Sequence, residues 1–181
     1  MARNRVRIIG GAWRSRLVSF PSRGDLRPTP DRVRETLFNW LGQDLTGRTC
    51  LDLFAGSGAL GFEAASRGAR RVVMVERDPL VFRALAANRA ALDAAAVELN
   101  RADALEFLRA GDEAYDVVFV DPPFRSDYWP RVAPLLSRRL APEALVYCES
   151  AAGAEAPPGW ESVKRDRAGR VSYQLLRRNS P

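Results

Sequence analysis

From Arg48 onward the sequence alternates short apolar runs with amphipathic stretches, and that alternation leaves few folds open. Thr49–Phe54 is predicted as a buried strand, followed by a glycine-rich turn and a helix from Ala59 to Ser66. Arg71–Glu76 is the second strand, and Asp78-Pro79 caps a helix that runs to Leu92. Val97–Asn100 is a short third strand and Ala104–Arg109 a short helix. Tyr115–Asp121 is a fourth strand, whose Val117-Val118-Phe119-Val120 is too uniformly apolar to face water on either side. The stretch after Asp127 is predicted helical despite Pro130 and Pro134, and Leu145–Glu149 is a fifth strand. Glu161–Arg167 and Arg170–Arg177, joined at Ala168-Gly169, form an antiparallel hairpin. Strands separated by helices pair in parallel, so the expected class is α/β, a doubly wound, mostly parallel seven-stranded sheet with an antiparallel C-terminal hairpin.

Composition removes several chemistries. The 181 residues include no histidine, two cysteines (Cys50 and Cys148) and one lysine, Lys164. Histidine-based triads, general bases and zinc sites are therefore excluded, and so are a cysteine metal site and a phosphate-cradling lysine behind a glycine-rich loop. Cys50 and Cys148 fall in predicted interior strands and read as small core hydrophobes; no metal is expected. No apolar run approaches the ~18 residues of a membrane span and the polar start carries no secretory signal pattern, so the chain is expected to be cytoplasmic.

The formal charge is +6, carried almost wholly by arginine. Arg3, Arg5, Arg7, Arg14, Arg16, Arg23, Arg27, Arg32 and Arg34 crowd the start of the chain, a composition suited to a polyanion. Arg5–Gly10 and Arg14–Phe20 alternate basic and apolar residues around Gly10-Gly11, which predicts a small basic β-hairpin. Thr29-Pro30-Asp31 reads as an N-cap with proline at the first helical position, opening a helix whose Val33, Leu37 and Leu41 share a face. One domain is expected, with residues 1–45 as a basic extension and 46–181 as the core.

Ligands of doubly wound sheets bind beyond the carboxyl ends of the strands, where the strand order reverses. Gly56-Ser57-Gly58-Ala59-Leu60-Gly61 satisfies the dinucleotide fingerprint, with Glu76 about twenty residues on. Asp52, just upstream, argues for a different ligand: a carboxylate would repel a pyrophosphate but would favour an amino acid's ammonium. S-adenosylmethionine carries that ammonium and a sulfonium, and no phosphate. Glu76 can accept from a ribose diol in either cofactor. Asp103 can take an adenine amino group, cap a helix, or do both.

Asp121-Pro122-Pro123-Phe124 closes the fourth strand. Consecutive prolines stiffen the turn and leave outward carbonyls as acceptors. Asp121 and the Pro122 carbonyl can together accept both protons of an exocyclic amine, turning its lone pair toward an incoming methyl group. Phe124 can stack on the base. An amine conjugated to a ring is a poor nucleophile, and fixing its geometry in a dry site lowers the barrier. A sulfonium leaves without help, and the methylated nitrogen sheds its proton readily, so no histidine is required.

These two motifs resemble those of class I S-adenosylmethionine-dependent methyltransferases that modify base amines. The stretch from Leu26 to Leu41, Arg7-Ile8-Ile9-Gly10-Gly11 and Val146-Tyr147-Cys148-Glu149-Ser150 extend the likeness to the RsmD-type 16S rRNA guanine-N2 methyltransferases of bacteria, over nearly the whole chain. Thr29-Pro30 stands where that pattern has two threonines, and the Arg23–Leu26 approach is short. The resemblance implies a Rossmann-like core and methyl transfer to the N2 of one guanine within the small ribosomal subunit or its assembly intermediate, by a monomer. It implies that Asp52, Phe54, Ala55, Gly56 and Gly58 hold the methionine end, Glu76 and Arg77 the ribose, and Asp103 and Ala104 the adenine. Asp121, Pro122, Pro123 and Phe124 then hold the target base, and Arg7, Arg14, Arg16, Arg27 and Arg32 contact RNA phosphates.

The residues alone leave alternatives open. DNA adenine-N6 methyltransferases use similar motifs, an NAD-linked oxidoreductase fits the glycine fingerprint, and a non-catalytic RNA-binding protein would keep the fold without the chemistry. Arg125–Trp129 read either as a lid over the base or, for Trp129, as core packing. If the arginines grip phosphates, affinity for rRNA should fall at least about tenfold between roughly 50 and 200 mM salt, measured by filter binding or anisotropy; a flat response would contradict that role.

Overall fold

The computed structural model describes residues 3–24, 26–122, 128–151 and 155–179. A basic hairpin, β1 (Arg3–Arg7) and β2 (Leu17–Pro21), precedes α1 (Asp31–Trp40). The core then runs β3 (Thr49–Asp52), α2 (Ala59–Ser66), β4 (Arg71–Val75), α3 (Pro79–Ala91), β5 (Val97–Asn100), α4 (Ala104–Ala110) and β6 (Tyr115–Val120). It ends with α5 (Trp129–Leu136), β7 (Leu140–Ala151), β8 (Trp160–Ala168) and β9 (Val171–Arg178). The seven-stranded sheet has the order β5-β4-β3-β6-β7-β9-β8, with every strand parallel except β9, which runs antiparallel to its neighbours β7 and β8. The Rossmann-like expectation holds, and β7 is longer than predicted because its pairing with β6 starts at Leu140 opposite Tyr115 and shifts register before Val117.

The strand order places the reversal between β3 and β6, which are neighbours. Side-chain alternation then sorts the sheet into two faces. Cys50, Val72, Met74, Val97, Val117, Phe119 and Tyr147 pack on one core with residues of the hairpin, α1 and α2. Leu51, Val73, Val118, Val120, Val146 and Cys148 pack on the other, with Leu105 and Leu108 of α4 and Val132 and Leu136 of α5. Cys50 and Cys148 are both buried, and burial pushes each thiol up to about 12, which leaves them unreactive as predicted. Among the described residues no helix is long and apolar enough to cross a membrane.

The N-terminal segment is docked on the core by buried polar groups. Glu63 on α2 and Arg34 on α1 both have 0% exposure. Glu63 Oε2 accepts from Arg34 Nη1 and from the Ile9 N–H, each at 3.0 Å. Its Oε1 accepts from Arg67 Nε at 3.0 Å and from the Gly10 N–H at 2.8 Å. Arg34 also donates to the carbonyls of Thr29 and Arg7, each at 3.0 Å, and pairs with Asp31. Arg34 is thus an internal fastener and takes no part in the basic surface.

The predicted basic hairpin forms; its connection is residues 8–16, within which Gly10 and Gly11 lie against the end of α2. Gly11 has φ +76°, and a Cβ there would collide with the Ser66 carbonyl oxygen. Ser66 closes the contact by donating to the Gly10 carbonyl at 2.6 Å and accepting from the Trp13 N–H at 2.9 Å. Asn88 of α3 makes a two-way bond with the backbone of Ser19, at 3.0 Å and 2.7 Å.

Replacing Glu63 by alanine would strand two buried guanidinium groups and free two backbone N–H donors. It should cost about 3–5 kcal/mol, read from urea unfolding, whereas a loss below ~1 kcal/mol would show that the cluster is not buried in solution.

Candidate active site

The reversal point gathers carboxylates from successive strands. Asp52 ends β3 and is 2% exposed, with Oδ2 accepting the Gly61 N–H at 3.0 Å. That bond satisfies a first-turn donor of α2, whose N-cap, Gly58, offers no side chain. Gly58 sits at φ +80°, where a Cβ would come within 2.7 Å of Leu85 and Phe62, so the turn needs glycine. Next to it, the Ala55 N–H donates to Val75 at 2.9 Å, fixing the loop across to β4, and Phe54 packs edge-on to Tyr128 at 5.4 Å between centroids.

Glu76, just past β4, accepts the Gly56 N–H through Oε2 at 3.0 Å and the Asp78 N–H through Oε1 at 2.7 Å. Two oxygens so oriented keep lone pairs for further donors. Asp103 is the N-cap of α4, with Oδ1 accepting from Leu105 and Glu106 at 2.9 and 3.3 Å, and Ala104 follows it, buried. The capping reading of Asp103 is therefore realised, with Oδ2 left over. Arg77 and Arg101, beside these acids, are exposed.

Asp121 and Pro122 follow β6, both half-buried. Asp121 Oδ2 accepts from the Thr29 hydroxyl at 3.3 Å. This corrects the sequence reading of Thr29 as an N-cap. Pro30 occupies that position without a side-chain bond, and Thr29 is buried with its hydroxyl on Asp121. The short approach to it is anchored, since Arg23 pairs with Asp78 at 2.9 Å and Leu26 packs on Gly56. The N-terminal extension thereby forms one wall of the site. Pro123, Phe124 and the residues to Asp127 lie outside the described residues, so the stacking role of Phe124 and the lid reading are not addressed. Trp129 packs edge-on to Trp160 at 5.1 Å, the core-packing alternative.

Of the predicted phosphate contacts, Arg14, Arg27 and Arg32 are exposed. Arg7 is exposed and faces Asp31 at 3.5 Å; Arg16 is exposed and donates to the Ala91 carbonyl at 2.7 Å. All five lie on the extension. Sequence reasoning passed over Glu63 and Asn88 and gave Thr29 a different role. Only Glu63 left a signal, a carboxylate between Phe62 and Ala64 on a helix that is apolar all round.

Electrostatics mark the two aspartates. Burial, then the nearby charge of Glu76, pushes Asp52 up to about 7 against the bonding of the Gly61 N–H. Burial, then Glu149 and Asp52, raises Asp121, with the Thr29 bond opposing. Such a site repels phosphate and gains from a cation, and so fits a ligand bearing an ammonium and a sulfonium. In the ligand-free fold Asp52 holds a proton that the unfolded chain, with its ordinary value of 3.8, has released. Its contribution to stability is thus present below that value and is lost as pH rises through about 7. Between roughly pH 5 and 8 the urea midpoint should fall more steeply for wild type than for Asp52→Asn; parallel curves would refute the burial of this charge.

Comparison with known proteins gives the family. The family described as conserved hypothetical protein 95 matches residues 6–177. Ribosomal RNA small subunit methyltransferase D of Escherichia coli K12 is 43% identical over 180 residues, 97% of this chain and 91% of that one. Its Haemophilus influenzae counterpart is 41% identical over 96% of this chain and 94% of that one. The solved structure of the Escherichia coli protein yhhF superposes with TM-score 0.87 at 43% identity, covering 98% of this chain and 100% of that one. The Thermus thermophilus 16S rRNA N2 methyltransferase RsmC, solved with AdoMet and guanosine, shares the fold with TM-score 0.75 at 23% identity, over 98% of this chain and 50% of its own. Matched along nearly its whole length, the chain belongs to the ribosomal RNA small subunit methyltransferase D family.

Proposed function

We propose that this protein is a cytoplasmic, monomeric S-adenosylmethionine-dependent methyltransferase acting on the exocyclic N2 of one guanine of 16S rRNA, within the small ribosomal subunit or a precursor of it. The observation that carries the reading is the pair of aspartates, buried Asp52 and half-buried Asp121, at the ends of adjacent parallel strands at the reversal point. One recognises a cation and the other an amine. Bound S-adenosylmethionine supplies an electrophilic methyl group on a sulfonium.

The chain's own residues divide the remaining work. Asp52 and the backbone from Phe54 through Gly58 hold the amino-acid end, where a cationic ammonium offsets the cost of burying a carboxylate. Glu76, already oriented by two N–H donors, accepts from the ribose diol with Arg77 beside it. The spare oxygen of Asp103 accepts from the adenine amine next to Ala104. Asp121 and the Pro122 carbonyl accept the two protons of the target amine. Thr29 donates to the Asp121 carboxylate and thereby fixes its direction. Pro123 and Phe124, outside the described residues, are assigned to the same base site by the Asp-Pro-Pro-Phe motif alone. Arg7, Arg14, Arg16, Arg27 and Arg32 position the phosphate backbone without reading sequence. Family relatives carrying a small-subunit rRNA methyltransferase name support the substrate class.

Small subunits lacking their native methylations, protein-free rRNA and adenine-rich DNA should be offered in parallel with labelled methyl donor, then digested to nucleosides. N2-methylguanosine, mainly from subunits, is the expected product; label in N6-methyladenine would overturn the choice of base. Asp121→Ala should lower the transfer rate by about 10²–10³-fold while S-adenosylhomocysteine binding, measured by calorimetry, is retained. Unchanged transfer would remove Asp121 from the mechanism.

A further inference from the structure

The site contains one carboxylate more than the capture of an amine requires. In the parallel pairing of β6 with β7, Phe119 lies opposite Tyr147 and Val120 opposite Cys148, so the register next brings Asp121 beside Glu149. The alternation of the faces agrees. Phe119 and Tyr147 belong to the core under α1, Val120 and Cys148 to the opposite one, and the following residues return to the α1 face. There Thr29 reaches Asp121, and the Tyr147 hydroxyl donates to Glu149 Oε1 at 2.8 Å. Tyr147 is itself fully buried and held edge-on to Phe119 at 6.5 Å, so Glu149 is aimed by a rigid partner. The charge of Glu149 also raises Asp121, in keeping with that register.

Asp121 and the Pro122 carbonyl suffice for the two protons of an amine. A further carboxylate is useful only where the base presents another donor beside that amine. Guanine does, with N1–H adjacent to its N2 amine. Adenine and cytosine present a ring lone pair at the corresponding position, and a carboxylate facing a lone pair is repelled. A carboxylate takes about four hydrogen bonds, so accepting from Tyr147 is compatible with accepting from a base.

We infer that Glu149 accepts the N1–H of the target guanine and selects guanine over adenine and cytosine. The inference rests on the reading that a base amine is the methyl acceptor at Asp121. Glu149 also contributes to rate. As N2 gains its fourth bond it becomes cationic and withdraws electrons through C2, which makes N1–H a stronger donor, so a fixed carboxylate at N1–H stabilises the transition state more than it stabilises neutral guanine. Tyr147 acts as a positioning residue through Glu149.

The test uses small subunits reconstituted from rRNA with either guanine or 2-aminopurine at the methylated position. 2-Aminopurine keeps the N2 amine but has a lone pair at N1. Wild type should methylate guanine at least about 100-fold faster, because a site built to bond a donor rejects an analogue lacking it. Glu149→Gln can present its amide N–H to that lone pair. It should slow transfer to guanine, speed transfer to 2-aminopurine, and lower the ratio of the two rates at least about tenfold. Tyr147→Phe should lower the ratio less, with S-adenosylhomocysteine binding intact in both variants as the check on folding. Equal rates on both bases by wild type, or a Glu149→Gln variant that slows both equally, would overturn the role of Glu149 while leaving the enzyme reading in place. Wild-type label absent from guanine would overturn both.

Discussion

A buried carboxylate that satisfies two arginines and two backbone N–H groups at once is the constraint on which this molecule is arranged. Glu63 is carried by the helix that follows the glycine-rich turn, yet its partners belong to the other segment or to its own helix end. Ion clusters of this kind add little net stability relative to apolar packing, because desolvating the charges consumes most of the attraction. What such a cluster does enforce is geometry. Arg34 can meet Glu63, the Thr29 carbonyl and the Arg7 carbonyl only if α1 and the hairpin sit in one orientation. The Thr29 hydroxyl is delivered to Asp121 by the same residues that lock the extension in place. A basic segment whose charge suggests a loosely attached RNA-binding arm is thus part of the wall of the site.

The site follows an electrostatic logic of its own. Sheets of this class present their ligand site at the strand ends, usually with glycines and a helix N-terminus suited to phosphate. Here Asp52 occupies a first-turn N–H of that helix, and Glu76, Asp103, Asp121 and Glu149 continue the acidic rim. The exposed arginines of the extension, Arg7, Arg14, Arg16, Arg27 and Arg32, lie on a different segment from this rim. The division suits an enzyme that must accept a cationic small molecule and a polyanion on one small surface without either occupying the other's place.

Much of this was legible in the sequence, because the signals were local. Asp78 and Asp103 cap their helices as their spacing indicates, α2 runs from Ala59 to Ser66 as expected, and the apolar run at Val117–Val120 is buried on both faces of the sheet. What escaped depended on contacts between distant residues. Thr29 carries a strong capping signature, but its hydroxyl finds an acceptor 92 residues away. Gly10-Gly11 reads as a turn until Ser66 arrives to explain why no side chain fits there. Arg34 is indistinguishable in sequence from its exposed neighbours, and only the approach of Glu63 from α2 separates fastener from surface. Glu149 was visible as part of a strand end, but its meaning depends on which residue of β6 lies beside it.

The near-exclusive use of arginine has a practical side. Lys164, the one lysine, is exposed on β8, the edge strand at the far end of the sheet from β5. Apart from the α-amino group, it is the only primary amine an acylating reagent can reach, and both thiols are buried. With the α-amino group blocked, a single dye or crosslinker can therefore be placed at a known point of the sheet without mutagenesis.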